Sequence, residues 1–293
     1  MNDALIQSWL DHLASERGLA SLTVQHYGRD LSRLASGFPD RPLTDLQHAD
    51  IRNSMGRLHQ QGLSGRSLAR MLSAWRNFYQ FLIQRHQHSL NPCDGLRPPR
   101  HPGSLPHNLT VDQAQHLLDR ADRDNPLYLR DQAMFELLYS SGLRLSELAA
   151  LKLTQLDLRE QELRVTGKGN KTRIVPLGLP AVQALRAWLA LLPPDSPYVF
   201  PGRQASQHIS PRTVQVRLAL RARQSGLEEH VHPHMLRHAF ASHLLQSSSD
   251  LRAVQELLGH AHIGTTQIYT RLDYQHLARV YDQAHPRARQ KKR

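Results

Sequence analysis

Along the first ninety residues, apolar positions recur at helical spacing in four stretches: Leu5, Ile6, Trp9 and Leu13; Val24, Tyr27, Leu31 and Leu34; a shorter set of Ile51, Met55 and Leu58; and Leu68, Met71, Leu72, Trp75, Phe78, Tyr79 and Leu82. The last keeps its i, i+3, i+4, i+7 period over four turns, so the pattern predicts a small bundle with this helix at its centre. Its aromatic stripe reads as a core face. Arg66, Arg70, Arg76 and Arg85 fall on the opposite side, with Arg29 and Arg33 on the polar side of the second helix, all expected to be solvated. The period then stops. From Asn91 to Asn108 five prolines (Pro92, Pro98, Pro99, Pro102, Pro106) interrupt a stretch without apolar periodicity, which predicts a stiff linker.

Beyond it Thr110 can cap a helix reaching Ala121, and Leu129 to Tyr139 reads as a buried helix ending near Gly142. Then the period shortens to two. Leu156–Leu158, Glu162–Thr166 and Thr172–Leu177 read as strands, the last two joined by the basic turn Gly167-Lys168-Gly169-Asn170-Lys171. Helices resume at Leu179–Leu192, Ser210–Arg223 with Pro211 at the first position, Met235–Gln246 and Asp250–Leu258, with short ones over Thr265–Leu272 and Tyr274–Ala284. The expected fold class is therefore mainly α with a small β-sheet and hairpin. Its divisions are a helical domain at 1–90, a linker at 91–108 and a mixed α/β domain at 109–293.

Charge changes the picture. The 293 residues hold 37 Lys plus Arg against 25 Asp plus Glu, a formal charge of +12, and a basic surface of that size attracts a polyanion, most commonly nucleic acid. Only five of these cations are lysines (Lys152, Lys168, Lys171, Lys291, Lys292), and two of the five share one hairpin tip. The single cysteine, Cys93, excludes a disulfide framework and any Cys-based zinc site. The longest apolar run, Ala187–Leu192, is too short to span a bilayer, and Asp3 and Asp11 stand where a signal peptide is basic, so a cytoplasmic protein is expected.

No Walker A sequence, no G-x-G-x-x-G after a strand and no H-E-x-x-H occurs, so the expected chemistry needs no cofactor. What the second domain offers is Arg144 after Gly142, Lys168 in the hairpin, His234 and Arg237 in His232-Pro233-His234-Met235-Leu236-Arg237, His260 after Gly259, and Tyr269. This set suits phosphoryl transfer without a metal. Two guanidiniums can hold both non-bridging oxygens and offset charge on a pentacoordinate phosphorus. A tyrosine hydroxyl is a nucleophile that conserves the ester's energy, a His can accept its proton, and a Lys can protonate the departing 5′ oxygen where an Arg cannot. Taken singly, each residue also has a plain structural reading: Arg144 as a salt-bridge partner of Glu147, His234 and His238 as buried hydrogen-bonders or a metal pair, His260 as a helix cap and Tyr269 as packing.

The ordered set resembles the catalytic pattern of the tyrosine recombinase (phage integrase) family: Arg, Lys, His-x-x-Arg, His and Tyr. By this resemblance Arg144 and Arg237 clamp the phosphate, Lys168 is the general acid, His234 a general base or phosphate ligand, His260 a transition-state hydrogen-bond donor and Tyr269 the nucleophile that forms a 3′-phosphotyrosyl link, with neither metal nor cofactor. The resemblance also implies a SAM-like core-binding domain at 1–90 that closes with the catalytic domain as a C-shaped clamp on duplex DNA. The tail Leu272–Ala288 is similar to that of the Xer recombinases of chromosome-dimer resolution. That implies a dif-like DNA site, an XerD-like sister recombinase in a heterotetramer of two plus two subunits, and an FtsK-like DNA translocase. The tail's apolar face, Leu277, Val280 and Tyr281, is expected to dock on the neighbouring subunit. Three other classes fit parts of the pattern: a type IB topoisomerase-like enzyme that only relaxes supercoils, a DNA-binding regulator that makes no use of Tyr269, and a metallohydrolase using His232, His234, His238 or His243. The acids near those histidines are not in a metal-ligand pattern.

Overall fold

A computed structural model describes residues 2–99, 109–119, 125–167, 172–227, 231–248 and 280–288. The chain divides into two compact units, 1–105 and 106–293, each with its own apolar core.

The first unit contains α1 (Asn2–Ser15), α2 (Ser21–Ala35), α3 (His48–Gln60) and α4 (Gly65–His86). Ser64 caps α4 by accepting from the Ser67 amide, and the predicted aromatic stripe of α4 is its core face: Leu68, Trp75, Phe78, Tyr79 and Leu82 are fully buried. Each side chain of that size contributes about 1.5 to 3 kcal/mol by leaving water. The polar side of α4 is less idle than its sequence suggests. Arg70 pairs with buried Asp30, Arg85 with Glu16 at 2.5 Å, and Arg76 donates to the carbonyls of Cys93 and Leu96. Through Arg76, and through the burial of Cys93 and Leu96, residues 91–96 pack as part of the bundle, although no periodicity announces it.

The second unit contains α5 (Val111–Leu118), α6 (Pro126–Ser140), α7 (Leu145–Ala149), β1 (Leu156–Asp157), β2 (Glu162–Thr166), β3 (Thr172–Pro176), α8 (Leu179–Leu189), α9 (Pro211–Gln224), α10 (Pro233–Ser248) and a last helical turn at 280–284. Asn125 caps α6 and Pro126 opens it, so the helix begins three residues before its apolar run. Its residues Ala133 to Ser140 are all buried, which makes α6 the central element of the unit. The strands form one antiparallel sheet in the order β1-β2-β3, with Leu163 opposite Val175 and Val165 opposite Arg173. The five-residue α7 is too short to carry a visible period and was not expected.

The tail departs from expectation. Tyr281 is 1% exposed within its own domain, stacked on His285, which packs in turn on Tyr139 and Phe240. Arg287 reaches Asp119 at 2.7 Å and buried Glu136 at 3.3 Å. A Cβ at Gly178 would overlap the Arg287 carbonyl, so the close approach of this segment needs a glycine there. Of the face assigned from sequence to a neighbouring subunit, Tyr281 is thus buried in the chain's own domain and Val280 packs partly buried against the same core. Leu277 lies outside the described residues.

Candidate active site

The site is built where α6 ends. Gly142, at φ +57, turns the chain sharply after the Ser141 cap, and a Cβ there would stand 2.5 Å from the Phe240 ring of α10. Helices commonly end on such a left-handed residue, and here only glycine also leaves room for α10. Two residues on, Arg144 caps α7. Its amide donates to Glu147 Oε2 at 2.8 Å while its Nη1 donates to Glu147 Oε1 at 2.9 Å. These two bonds, both donated by Arg144 to the Glu147 carboxylate, hold the Arg144 side chain at the head of α7, half-buried.

Arg237 arrives from α10. It is 6% exposed and donates from Nη1 to the carbonyl of Gly142. Burial, with the Arg144 charge adding to it, lowers its pKa to about 10, so it stays protonated at neutral pH. A third guanidinium, Arg173 of β3, is buried and grips Glu147 with two hydrogen bonds of 2.9 and 2.8 Å. Burial alone would raise the Glu147 carboxyl, but Arg173 and then Arg144 outweigh it and hold it below the usual carboxylate range. Three guanidiniums therefore converge with one carboxylate, and the net charge of the cluster is positive. Such a cluster presents preorganised donors to an anion, which suits a phosphodiester whose charge grows in the transition state. The hairpin base closes the cluster: a Cβ at Gly167 would lie 3.6 Å from Glu147 Oε1 and 3.7 Å from Nη1 of both Arg144 and Arg173.

His234 lies in the first turn of α10, three residues before Arg237. It is exposed, its ring parallel to that of His238 at 6.5 Å and to that of His232 at 6.3 Å. His234 and His238 are thus surface groups, not the buried hydrogen-bonders their spacing allows. His243 is the buried one of the series, bonded through Nδ1 to the Tyr139 hydroxyl at 3.0 Å. Among the described residues no group of three or more His, Cys, Asp or Glu is placed to hold a metal ion.

Residues 107–276 match the model described as Phage integrase family, and residues 6–86 match Phage integrase, N-terminal SAM-like domain. The chain belongs to the phage integrase family of tyrosine recombinases. It is 52% identical over 295 residues to Tyrosine recombinase XerC of Pseudomonas aeruginosa PAO1, an alignment covering 98% of this chain and 96% of that relative. Tyrosine recombinase XerC of Azotobacter vinelandii is similar to the same degree, 52% over 296 residues, with 98% and 97% covered. The fold is that of the XerH site-specific recombinase bound to palindromic difH substrate in a post-cleavage complex: TM-score 0.70 at 21% identity, covering 91% of this chain and 81% of that one. As a tyrosine recombinase the chain is an enzyme of DNA cleavage and rejoining, with a mainly helical two-domain architecture. Among the described residues no helix is long and apolar enough to cross a membrane.

Of the six residues that the recombinase pattern singles out, Arg144 and Arg237 are brought together around Gly142, and His234 sits one helical turn from Arg237. Lys168, His260 and Tyr269 lie outside the described residues. Sequence reading left Glu147, Arg173 and Gly167 out of the recombinase site. A signal for two of them exists: Glu147 stands three after Arg144, as in a capping box, and Arg173 occupies an inward position of a strand whose other inward residue, Val175, is apolar. A charge at such a position calls for a buried counter-charge.

Proposed function

We propose that this recombinase cuts and rejoins DNA at a dif-like site through Tyr269, Arg144, Lys168, His234, Arg237 and His260. The observation that carries the reading is the convergence of Arg144 and Arg237, 93 positions apart in the sequence, at one glycine turn beside a carboxylate that orients the first of them. The two guanidiniums clamp the non-bridging oxygens. Tyr269 Oη forms a bond to phosphorus and gives its proton to His234, while His260 donates a hydrogen bond to the phosphoryl oxygens. The bond from phosphorus to the 5′ oxygen breaks, and Lys168 supplies the proton that oxygen takes. The resulting 3′-phosphotyrosyl link is consumed when a 5′-hydroxyl of the second duplex attacks it, which restores Tyr269.

Identity of 52% to XerC supports a place beside an XerD-like sister in a tetramer of two plus two subunits, with an FtsK-like translocase as activator and resolution of chromosome dimers at cell division as the outcome, in the cytoplasm. In this reading residues 1–90 bind the core site, with 91–96 packed on that bundle, the rest of 91–108 links, and 109–293 catalyse. The test is incubation with nicked dif-like DNA in EDTA. The wild-type chain is expected to give an SDS-resistant adduct and Tyr269→Phe none while still binding. An equal adduct from the mutant overturns the assignment. A requirement for two sites separates recombination from simple relaxation of supercoils.

A further inference from the structure

We infer that Arg70 is a specificity-determining residue of the helical unit: held by the buried carboxylate of Asp30, it reads the edge of a guanine instead of neutralising a phosphate. The inference rests on the reading of residues 1–90 as the part that binds the core site. Asp30 occupies an inward position of α2, beside Leu31 and Leu34, where an ionised side chain is costly unless paired. Its partner is Arg70 of α4, which donates from Nη1 to Asp30 Oδ2. The carbonyl of Asp30 accepts from Trp75 Nε1 at 2.9 Å, so the acid is pinned to α4 by its main chain as well. The pair is graded across the surface. The Asp30 side chain is 7% exposed and that of Arg70 45%, which puts the acid inside and the guanidinium at the solvent.

Charge separates Arg70 from its neighbours. Arg29 and Arg33, one turn apart on α2, and Arg66, one turn before Arg70 on α4, are exposed and form no ion pair among the described residues. The charges of His26 and Arg33 reach Asp30 together with that of Arg70, which gathers these groups around one acid between α2 and α4. An unbalanced arginine gains by meeting a phosphate, because it displaces the counterions condensed there. Arg70 with Asp30 carries no net charge, and a phosphate drawn to it also meets the repulsion of the carboxylate. What the pair keeps is donors. Among the described residues only Nη1 of Arg70 is bonded, and its Nε and Nη2 form a two-donor edge that suits the O6 and N7 acceptors of guanine. Because Asp30 fixes the side chain beforehand, little rotamer freedom is lost on docking. Phosphate contacts set the register of a protein on the duplex and base contacts read it. Arg29, Arg33 and Arg66 are suited to the first task and Arg70 to the second.

The full chain, titrated by fluorescence anisotropy over a salt series against a dif-like duplex, its single base-pair variants and a scrambled duplex, tests this. At one G·C pair the wild-type chain is expected to lose about 5- to 150-fold on substitution. Arg70→Lys keeps the ion pair and loses the fork, so discrimination at that pair should vanish while the salt slope on scrambled DNA stays. The double variant Arg70→Gln with Asp30→Asn, equally neutral, should do the same. Asp30→Asn alone unbalances the guanidinium and should steepen the slope by about 0.9 with tighter binding to scrambled DNA, which a merely structural pair would not do. Discrimination that survives in both Arg70 variants overturns the inference. So does a slope lowered by about 0.9 in the double variant, the mark of a phosphate contact, or a slope unmoved by Asp30→Asn. If Arg29→Ala, Arg33→Ala and Arg66→Ala all leave the slope as it is, the unit does not meet DNA, and the reading of residues 1–90 fails and takes the inference with it. Should the double variant not fold, judged by its thermal transition, Arg70→Lys decides.

Discussion

Arg237 donates a hydrogen bond to the carbonyl of Gly142, joining α10 to the turn after α6 across 95 positions of the chain. The contact answers two needs at once. A buried guanidinium must find acceptors, and a carbonyl at a tight helix end must find a donor. It also places Arg237 within electrostatic reach of Arg144, whose charge helps lower its pKa.

Gly142 should therefore tolerate no side chain. Alanine would hold a positive φ and press on Phe240 at 2.5 Å. Urea unfolding is expected to show a loss of about 1 to 3 kcal/mol, and cleavage of nicked DNA should fall further than stability alone explains. An unchanged unfolding midpoint would mean that α10 yields freely at this point.

The tail seat should open in acid. Burial lowers His285 to about 3, below its ordinary value near 6.5, with the charges of His243 and Arg287 acting in the same direction against the backbone acceptor at Tyr139. The unfolded chain binds this proton first, so the contribution of neutral His285 is present above about pH 6.5 and is lost as pH falls toward 3. At pH 4.5 the loss amounts to about 3 kcal/mol. His285→Phe should flatten the stability profile between pH 6.5 and 4.5, and an identical slope in the variant would place the acid sensitivity elsewhere.

In the bundle, Asp30 is buried and its pKa is raised, burial outweighing the opposing charge and hydrogen bond of Arg70. Arg70→Ala leaves that carboxylate buried with its principal partner gone. Because Arg70 is itself half-exposed, the expected destabilisation at pH 7 is moderate, ~1 to 3 kcal/mol. It should shrink as pH falls toward the raised pKa, since protonated Asp30 needs no cation. Adding Asp30→Asn should restore most of the loss; a double variant as unstable as the single one would show that Arg70 acts by packing.

Arg29, Arg33 and Arg66 are exposed on the bundle. If they meet phosphates, log K for duplex DNA should fall with log salt by about 0.9 per ion pair. The full chain should then show a steeper slope than residues 106–293 alone, in a titration followed by fluorescence anisotropy. Equal slopes would remove the bundle from the DNA interface.

Much of this protein was legible in one dimension. The heptad-like run of α4 can bury only one face, so its aromatic stripe had to be core, and the Ser210-Pro211 pair starts a helix through local geometry alone. The recombinase family was legible too, because the spacing of Arg144, His234 and Arg237 is a property of the sequence. What needed the tertiary structure was everything held by long-range charge. Glu147 is read from sequence as a neighbour of Arg144, and only the fold brings Arg173 to its other edge. The tail's apolar face says that it will be covered, but a face does not name its cover. For Tyr281 that choice was made by the close approach of 281–287 to Gly178 and by the pairing of Arg287 with Glu136 and Asp119, groups that meet only after the chain has folded.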